Sequence, residues 1–157
     1  MRGIARMVLI GLRQLLQVFQ PEGGHSLVVF DNKKWVVGGM DGSNNYLNDV
    51  WSTSDGSNWT QVTSSAGYSG RYRHKVTVLD GKLYLIGGCT AGSTCINGSV
   101  SDVRSSSDGL SWTQSLSNAS FSARHGHAVT VFDNKVWVIA GLVGMGRSND
   151  VWYSSDP

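Results

Sequence analysis

HAVTVFDNKVWVIAG, residues 127–141, decides the fold, because the chain carries three versions of it. HSLVVFDNKKWVVGG fills 25–39 and HKVTVLDGKLYLIGG fills 74–88. The opening histidines, His25, His74 and His127, are spaced by 49 and 53 residues. A second block follows each copy: NDVWSTSDGSNWTQ (48–61), SDVRSSSDGLSWTQ (101–114) and NDVWYSSDP (149–157). These starts are spaced by 53 and 48 residues, so the length variation is confined to the stretch between the two blocks.

Inside each copy the apolar period is two. Ala128, Thr130 and Phe132 alternate with Val129, Val131 and Asp133, and Asp133-Asn134 or Asp80-Gly81 supplies the positive φ of a tight hairpin. KVWVIAG reads as a second strand and DVWYSSD as a third. SWTQS is a fourth, reached through the turn Ser107-Asp108-Gly109. Four short strands in every ~50 residues predict the blade of a β-propeller, a twisted sheet that must stack on a neighbour.

Composition agrees. Twenty Gly and two Pro stand beside one Glu, Glu22, in 157 residues, which favours turns over helices. Residues 1–21 hold Arg2, Arg6 and Arg13 and no acid, while the remainder is close to neutral. Affinity for phosphate backbones needs clustered Lys and Arg, so nucleic acid is not the expected partner. No apolar run is long enough for an ordinary membrane span.

The repeat absorbs most residues that would otherwise suggest chemistry. Nine of ten Asp fall in three columns: Asp31/Asp80/Asp133, Asp49/Asp102/Asp150 and Asp55/Asp108/Asp156. All six Trp fall in columns too: Trp35 and Trp137 with Tyr84, Trp51 and Trp152 with Arg104, and Trp59 with Trp112. A residue used once per unit holds the unit together.

At these residues the chain resembles the kelch-repeat family. The resemblance rests on Gly38-Gly39 and Gly87-Gly88 after the second strand, on Trp51 and Trp152, and on the Arg-x-x-His entries Arg71/His74 and Arg124/His127. The third unit has Ala140-Gly141 in place of the glycine pair. The run Ser-x-Ser-Asp-Gly-x-x-Trp, ending at Trp59 and Trp112, also resembles a shortened Asp box. The resemblance implies an all-β partial kelch-type propeller of about three four-stranded antiparallel blades, the last incomplete. Its units are 22–70, 71–123 and 124–157. A related galactose-oxidase-like copper site is not carried over, since no matching set of Tyr, Cys and His stands out. No catalytic residue, metal or cofactor is expected.

Residues 1–21 match no part of the repeat. They read as a signal-like segment, as an amphipathic helix, or as a stretch unrelated to the fold, and the chain as a fragment of a larger propeller. The His column could converge on a metal, but hydrogen bonding within or between blades is the preferred reading. His125, off the column, is expected to be exposed in a loop. Arg71 and Arg124 are expected to pair with an Asp or a carbonyl at a blade junction. Trp59 and Trp112 are expected to be buried structural rings. Cys89 and Cys95 can close a disulfide in an oxidising compartment and would be free thiols in the cytosol. An extracellular or periplasmic place is slightly favoured.

Function is expected in the variable loops 40–48, 89–101 and 142–149, because loops vary on a rigid frame of strands. They carry Asp41, Asn44, Asn45, Tyr46, Asn97, Met145 and Arg147. The preferred reading is a module that binds a protein or a carbohydrate. An enzyme of the kelch-like sugar epimerase or mutarotase kind, or another glycan-active propeller, is the competing class, with only Asp41 and Glu22 left as acids outside the columns. A non-functional gene fragment is a further alternative. Open blade edges invite self-association.

Overall fold

The computed structural model describes residues 23–92 and 94–154. Residues 1–21, Glu22, Asp156 and Pro157, with the readings placed on them, lie outside the described residues. Within them all regular structure is β. Strands β1 (Ser26–Phe30), β2 (Lys33–Met40), β3 (Tyr46–Thr53) and β4 (Thr60–Thr63) form one antiparallel sheet in chain order. β5 (Lys75–Leu79), β6 (Lys82–Ile86), β7 (Val103–Ser106) and β8 (Thr113–Leu116) form a second sheet in the same order. β9 (Ala128–Phe132), β10 (Lys135–Val143) and β11 (Gly146–Tyr153) form a three-stranded third. These are the blades expected from the repeat.

Each blade starts with the same hairpin. Its two turn residues have φ of 48° and 54° at Asp31 and Asn32, 48° and 68° at Asp80 and Gly81, and 51° and 52° at Asp133 and Asn134. Both are positive, as a turn that follows the twist of its flanking strands requires. The sheet-exit position is also left-handed: Gly38, Gly87 and Ala140 have φ of 50°, 57° and 57°. A register shift sits there in the first and third blades. Ala140 holds with a side chain a conformation that glycine holds in the other two.

The blades stack through their own apolar columns, and the first strands lie side by side, β1 against β5 and β5 against β9. Between blades one and two, Trp35, Val37, Val50, Ala66 and Tyr68 meet Val76, Leu83 and Leu85. Between blades two and three, Ile86 and Phe121 meet Val138, with Val103, Val129 and Val136 packed against them.

The Ser-Asp-Gly turn before the fourth strand is tied from within. Asp55 Oδ1 accepts the backbone N–H groups of Ser57 and Asn58, each at 2.7 Å. Asp108 Oδ1 accepts those of Leu110 and Ser111, each at 2.8 Å. These bonds favour the ionised carboxylate and hold both acids below their usual range, with Asn58 the largest contributor at Asp55 and Ser111 at Asp108. The turn thereby consumes its own acid. Trp112 is half-buried, as is Trp59, so the expectation of fully buried rings is corrected for both. Their place at the outer edge of the blade leaves one side to solvent.

Candidate interaction face

The chain enters each blade at one end of the sheet, beside the connection between that blade's second and third strands. Backbone bridges join Gly23 to Met40, Tyr72 to Cys89 and His125 to Leu142. The entries are also stitched to one another: Arg73 N donates to Gly24 O at 2.7 Å, and Gly126 N to Arg73 O at 2.8 Å. The three connections are therefore held at one end of the stack by main-chain bonds.

Under this face lie the charged columns. Arg71 is 1% exposed; its guanidinium grips both carboxylate oxygens of Asp102 at 2.7 and 3.1 Å and donates to Gly87 O at 3.0 Å. Arg124, fully buried, repeats this with Asp150 at 2.6 and 2.7 Å and with Ala140 O at 2.8 Å. Each Arg thus fastens the entry of a blade to the third strand of the same blade. Burial alone would raise the Asp102 carboxyl, but the hydrogen bonds and charges of Arg71 and Arg104 outweigh it and hold it below the usual range.

His74, His125 and His127 are buried too, whereas His25 is exposed. His74 Nε2 lies 3.0 Å from Val37 O of the preceding blade. Burial pushes His74 down to about 3 and His127 down to about 4, with Arg71 and Arg124 as the next causes. Among the described residues no group of three His, Cys, Asp or Glu is placed to hold a metal ion. His125 is not the exposed loop residue that was expected. It is 2% exposed, its Nδ1 lies 2.8 Å from Ser99 Oγ, and its backbone pairs with Leu142. Its partners come from other segments, so its position off the column was misread as freedom.

The loops differ from one another. Residues 41–45 form a turn closed by Asp41, whose carboxylate accepts from Ser43 N, Asn45 N and Asn45 Nδ2 at 2.8–2.9 Å. Asn44 sits at φ 64° with Asn45 beside it, both exposed. Tyr46 begins β3; its hydroxyl donates to Gly92 O at 2.5 Å and its ring stacks on Tyr72 at 5.1 Å. The second loop carries the Cys89–Cys95 disulfide, both cysteines fully buried, with Tyr72 Oη 3.0 Å from Cys95 Sγ. Asn97 projects from it, exposed. The third loop, expected over 142–149, is instead a hairpin: Leu142 pairs with Arg147 and Val143 with Gly146. Only Gly144 and Met145 turn. The short segment, with Gly144 at φ 55°, lets the ladder run on to its tip. Met145 is 88% exposed and Arg147 lies exposed beside it.

One residue of this face was missed. Arg73 stands in the column of Gly24 and Gly126, and all three are left-handed, at φ 55°, 67° and 62°. Only Arg73 has a side chain there, exposed and 5.2 Å over the Tyr72 ring. Its signal was legible: an Arg one residue before His74, where the other two units have glycine.

Stacked four-stranded antiparallel blades with buried Arg entries and glycine-marked strand exits define a propeller-type repeat module. The family model described as the KLHDC2/KLHL20/DRC7 Kelch-repeats domain matches residues 15–155, and the chain belongs to that kelch-repeat family. The match begins inside the stretch set apart as a leader. A kelch-repeat domain is in general a protein-interaction module and for the most part non-enzymatic. The chain is 27% identical over 135 residues, 82% of its length, to a Drosophila melanogaster protein named Leucine-zipper-like transcriptional regulator 1 homolog. It is 28% identical over 148 residues, 90% of its length, to Tip elongation aberrant protein 1 of Schizosaccharomyces pombe. It is 33% identical over 87 residues, 54% of its length, to a rice protein named tRNA wybutosine-synthesizing protein 2/3/4. The matches cover 14%, 13% and 8% of those three proteins.

Proposed function

We propose that the chain binds a protein partner through this loop face, and that the segment recognised there is acidic. The observation that carries the reading is Arg73, a charged side chain held exposed at a backbone position where the other units place glycine. A left-handed non-glycine residue costs about 1–2 kcal/mol, set here against the contact of Arg73 with the Tyr72 ring. Arg73 and Arg147 are the cations this face offers, and among the described residues neither is in an ion pair. Asp41, the acid of the first loop, is committed to its own turn. Asn44, Asn45, Asn97 and Met145 complete the surface.

A carbohydrate would need an open aromatic platform. Tyr46 and Tyr72 spend their facing sides on each other, at an interplanar angle of 18°, and Tyr72 is 6% exposed. The protein reading is therefore preferred. The test captures a partner with the immobilised chain and measures its affinity for Arg73→Gly and Arg147→Ser. Both substitutions and rising salt should weaken binding about tenfold or more, which is about 1.4 kcal/mol, while Trp112→Ala, at the outer edge, leaves affinity unchanged. Binding indifferent to Arg73→Gly and to salt overturns the proposal.

A further inference from the structure

The disulfide loop runs on through Ile96-Asn97-Gly98-Ser99, and Asn97-Gly98 is the sole Asn-Gly step in the chain. Packing demands glycine at 98, because a Cβ there would run into the backbone of Ala91. Gly98 O accepts Thr90 N at 2.8 Å and Thr90 Oγ1 at 3.2 Å. The flanks are anchored as well. Cys95 is bonded to Cys89, and Ser99 Oγ donates to Cys95 O at 3.0 Å and lies 2.8 Å from His125 Nδ1. The fold therefore obliges Asn97 to be followed by a residue without a side chain.

That obligation has a chemical consequence. With no Cβ on the following residue, its main-chain nitrogen can reach the side-chain carbonyl of the asparagine before it. Gly98 N is weakly held, by one long bond of 3.4 Å to Cys95 O. Asn97 is exposed, and its amide has no hydrogen-bond partner among the described residues. Asparagines elsewhere are tied down. Asn45 Nδ2 donates to Asp41 at 2.8 Å, Asn48 Nδ2 to Tyr68 O at 2.6 Å and Asn58 Nδ2 to Asp55 at 2.7 Å. Each of those three also precedes a residue with a side chain, Tyr46, Asp49 and Trp59.

We infer that Asn97 is a site of spontaneous deamidation, which turns a neutral amide of the loop into a carboxylate. Gly98 N attacks Asn97 Cγ and gives up its proton. The bond from Cγ to the side-chain nitrogen breaks, and ammonia leaves with that proton. Water then opens the resulting succinimide. Opening at Cγ leaves aspartate, and opening at the main-chain carbonyl leaves isoaspartate. Ammonia is exchanged for water, with no change of oxidation state. Isoaspartate routes the main chain through the Cβ of residue 97, so Gly98 cannot keep both its Thr90 bonds and its fit against Ala91. Either product adds a negative charge to this loop. Nothing in the inference depends on which partner the loop face takes.

The test ages the full chain, still folded, in warm and mildly alkaline buffer and maps its tryptic peptides by mass spectrometry. The peptide of residues 83–104, LYLIGGCTAGSTCINGSVSDVR, holds Asn97 as its sole asparagine and has no glutamine. It should gain about one mass unit and split into isoaspartate and aspartate forms, ahead of every peptide that carries another asparagine. Asn97→Ser should abolish the gain, and a gain that persists in this variant overturns the inference. The same peptide, excised and aged alone, supplies the chemistry without the fold. Deamidation of the excised peptide with none in the folded chain would show that the loop protects Asn97, and would overturn the inference. Another asparagine of the folded chain reacting first would do the same.

Discussion

Arg71 and Asp102, 31 residues apart, close a two-pronged ion pair inside the second blade with side chains 2% and 11% exposed. The pair ties the blade's entry to its third strand, and Gly87 O and Arg104 complete its hydrogen bonds. Removing one member leaves the other charged and buried. Arg71→Leu should therefore cost about 3–5 kcal/mol. Arg71→Lys should recover only part, because one ammonium cannot serve two carboxylate oxygens and a carbonyl as a planar fork does. Urea unfolding of both variants decides it; an unchanged midpoint for Arg71→Leu would show the pair to be dispensable.

The left-handed columns separate function from stability. Ala140→Gly and Arg73→Gly each place glycine where the other units already have it. Each should raise stability by about 0.5–1 kcal/mol, since relieving the Cβ exceeds the entropy glycine adds to the unfolded chain. Only Arg73→Gly should also weaken partner binding. A loss of stability in Arg73→Gly would mean that its contact with Tyr72 outweighs backbone strain, and would remove the argument that Arg73 is retained for binding.

The disulfide closes a small loop, for which chain entropy predicts about 2–3 kcal/mol. Cys89→Ser with Cys95→Ser should act first on the loop face, because Tyr46 and Tyr72 lean on this loop. Limited proteolysis should cut within residues 90–98 under conditions where the rest of the chain resists. Simultaneous loss of protection everywhere would show that the loop is part of the global folding unit.

Trp35 and Trp112 rank the aromatic columns. Trp35 is 4% exposed within the first core cluster and covered by Gly109, so Trp35→Ala should cost about 3–5 kcal/mol. Trp112 is half-buried and gives mainly its contact with Tyr68. Its loss should cost about 1–3 kcal/mol, for partial burial and one ring pair. Thermal or urea unfolding of the two variants side by side would reverse this ranking if the outer turn, rather than the blade interior, holds the junction.

What repeats was legible from the chain, and what departs from the repeat was harder to read. Spacing of His25, His74 and His127 was enough to count blades and place their hairpins. Asp55 and Asp108 could be set aside as acids because their turn recurs whole. His125 breaks its expectation because its partner Ser99 lies 26 residues away, and residues 142–149 break theirs because the β10–β11 ladder runs on to Val143 and Gly146 through a turn of only two residues. Arg73 was overlooked for the opposite reason. Its information lies in breaking the Gly24 and Gly126 column rather than in filling one.

The buried histidines set a dependence on pH with a definite sign. His74, His125 and His127 are held below their usual value of 6.5, with burial the largest cause at each, and His74 and His127 are pushed down to about 3 and about 4. His74 uses Nε2 toward Val37 O, while its buried Nδ1 has no hydrogen-bond partner among the described residues, so a second ring proton would have no acceptor. The unfolded chain takes up protons below about 6.5 that the folded chain refuses. Stability contributed by these groups is thus intact above that pH and falls as pH drops toward 4, at up to about 1.4 kcal/mol per pH unit for each buried ring. The thermal midpoint should fall steadily between pH 6.5 and 4.5, before the ion-paired aspartates begin to titrate. His74→Gln, less stable at neutral pH, should show a shallower fall across the same window. A midpoint flat from 6.5 to 4.5 would mean that the rings are reached by water and charge without cost.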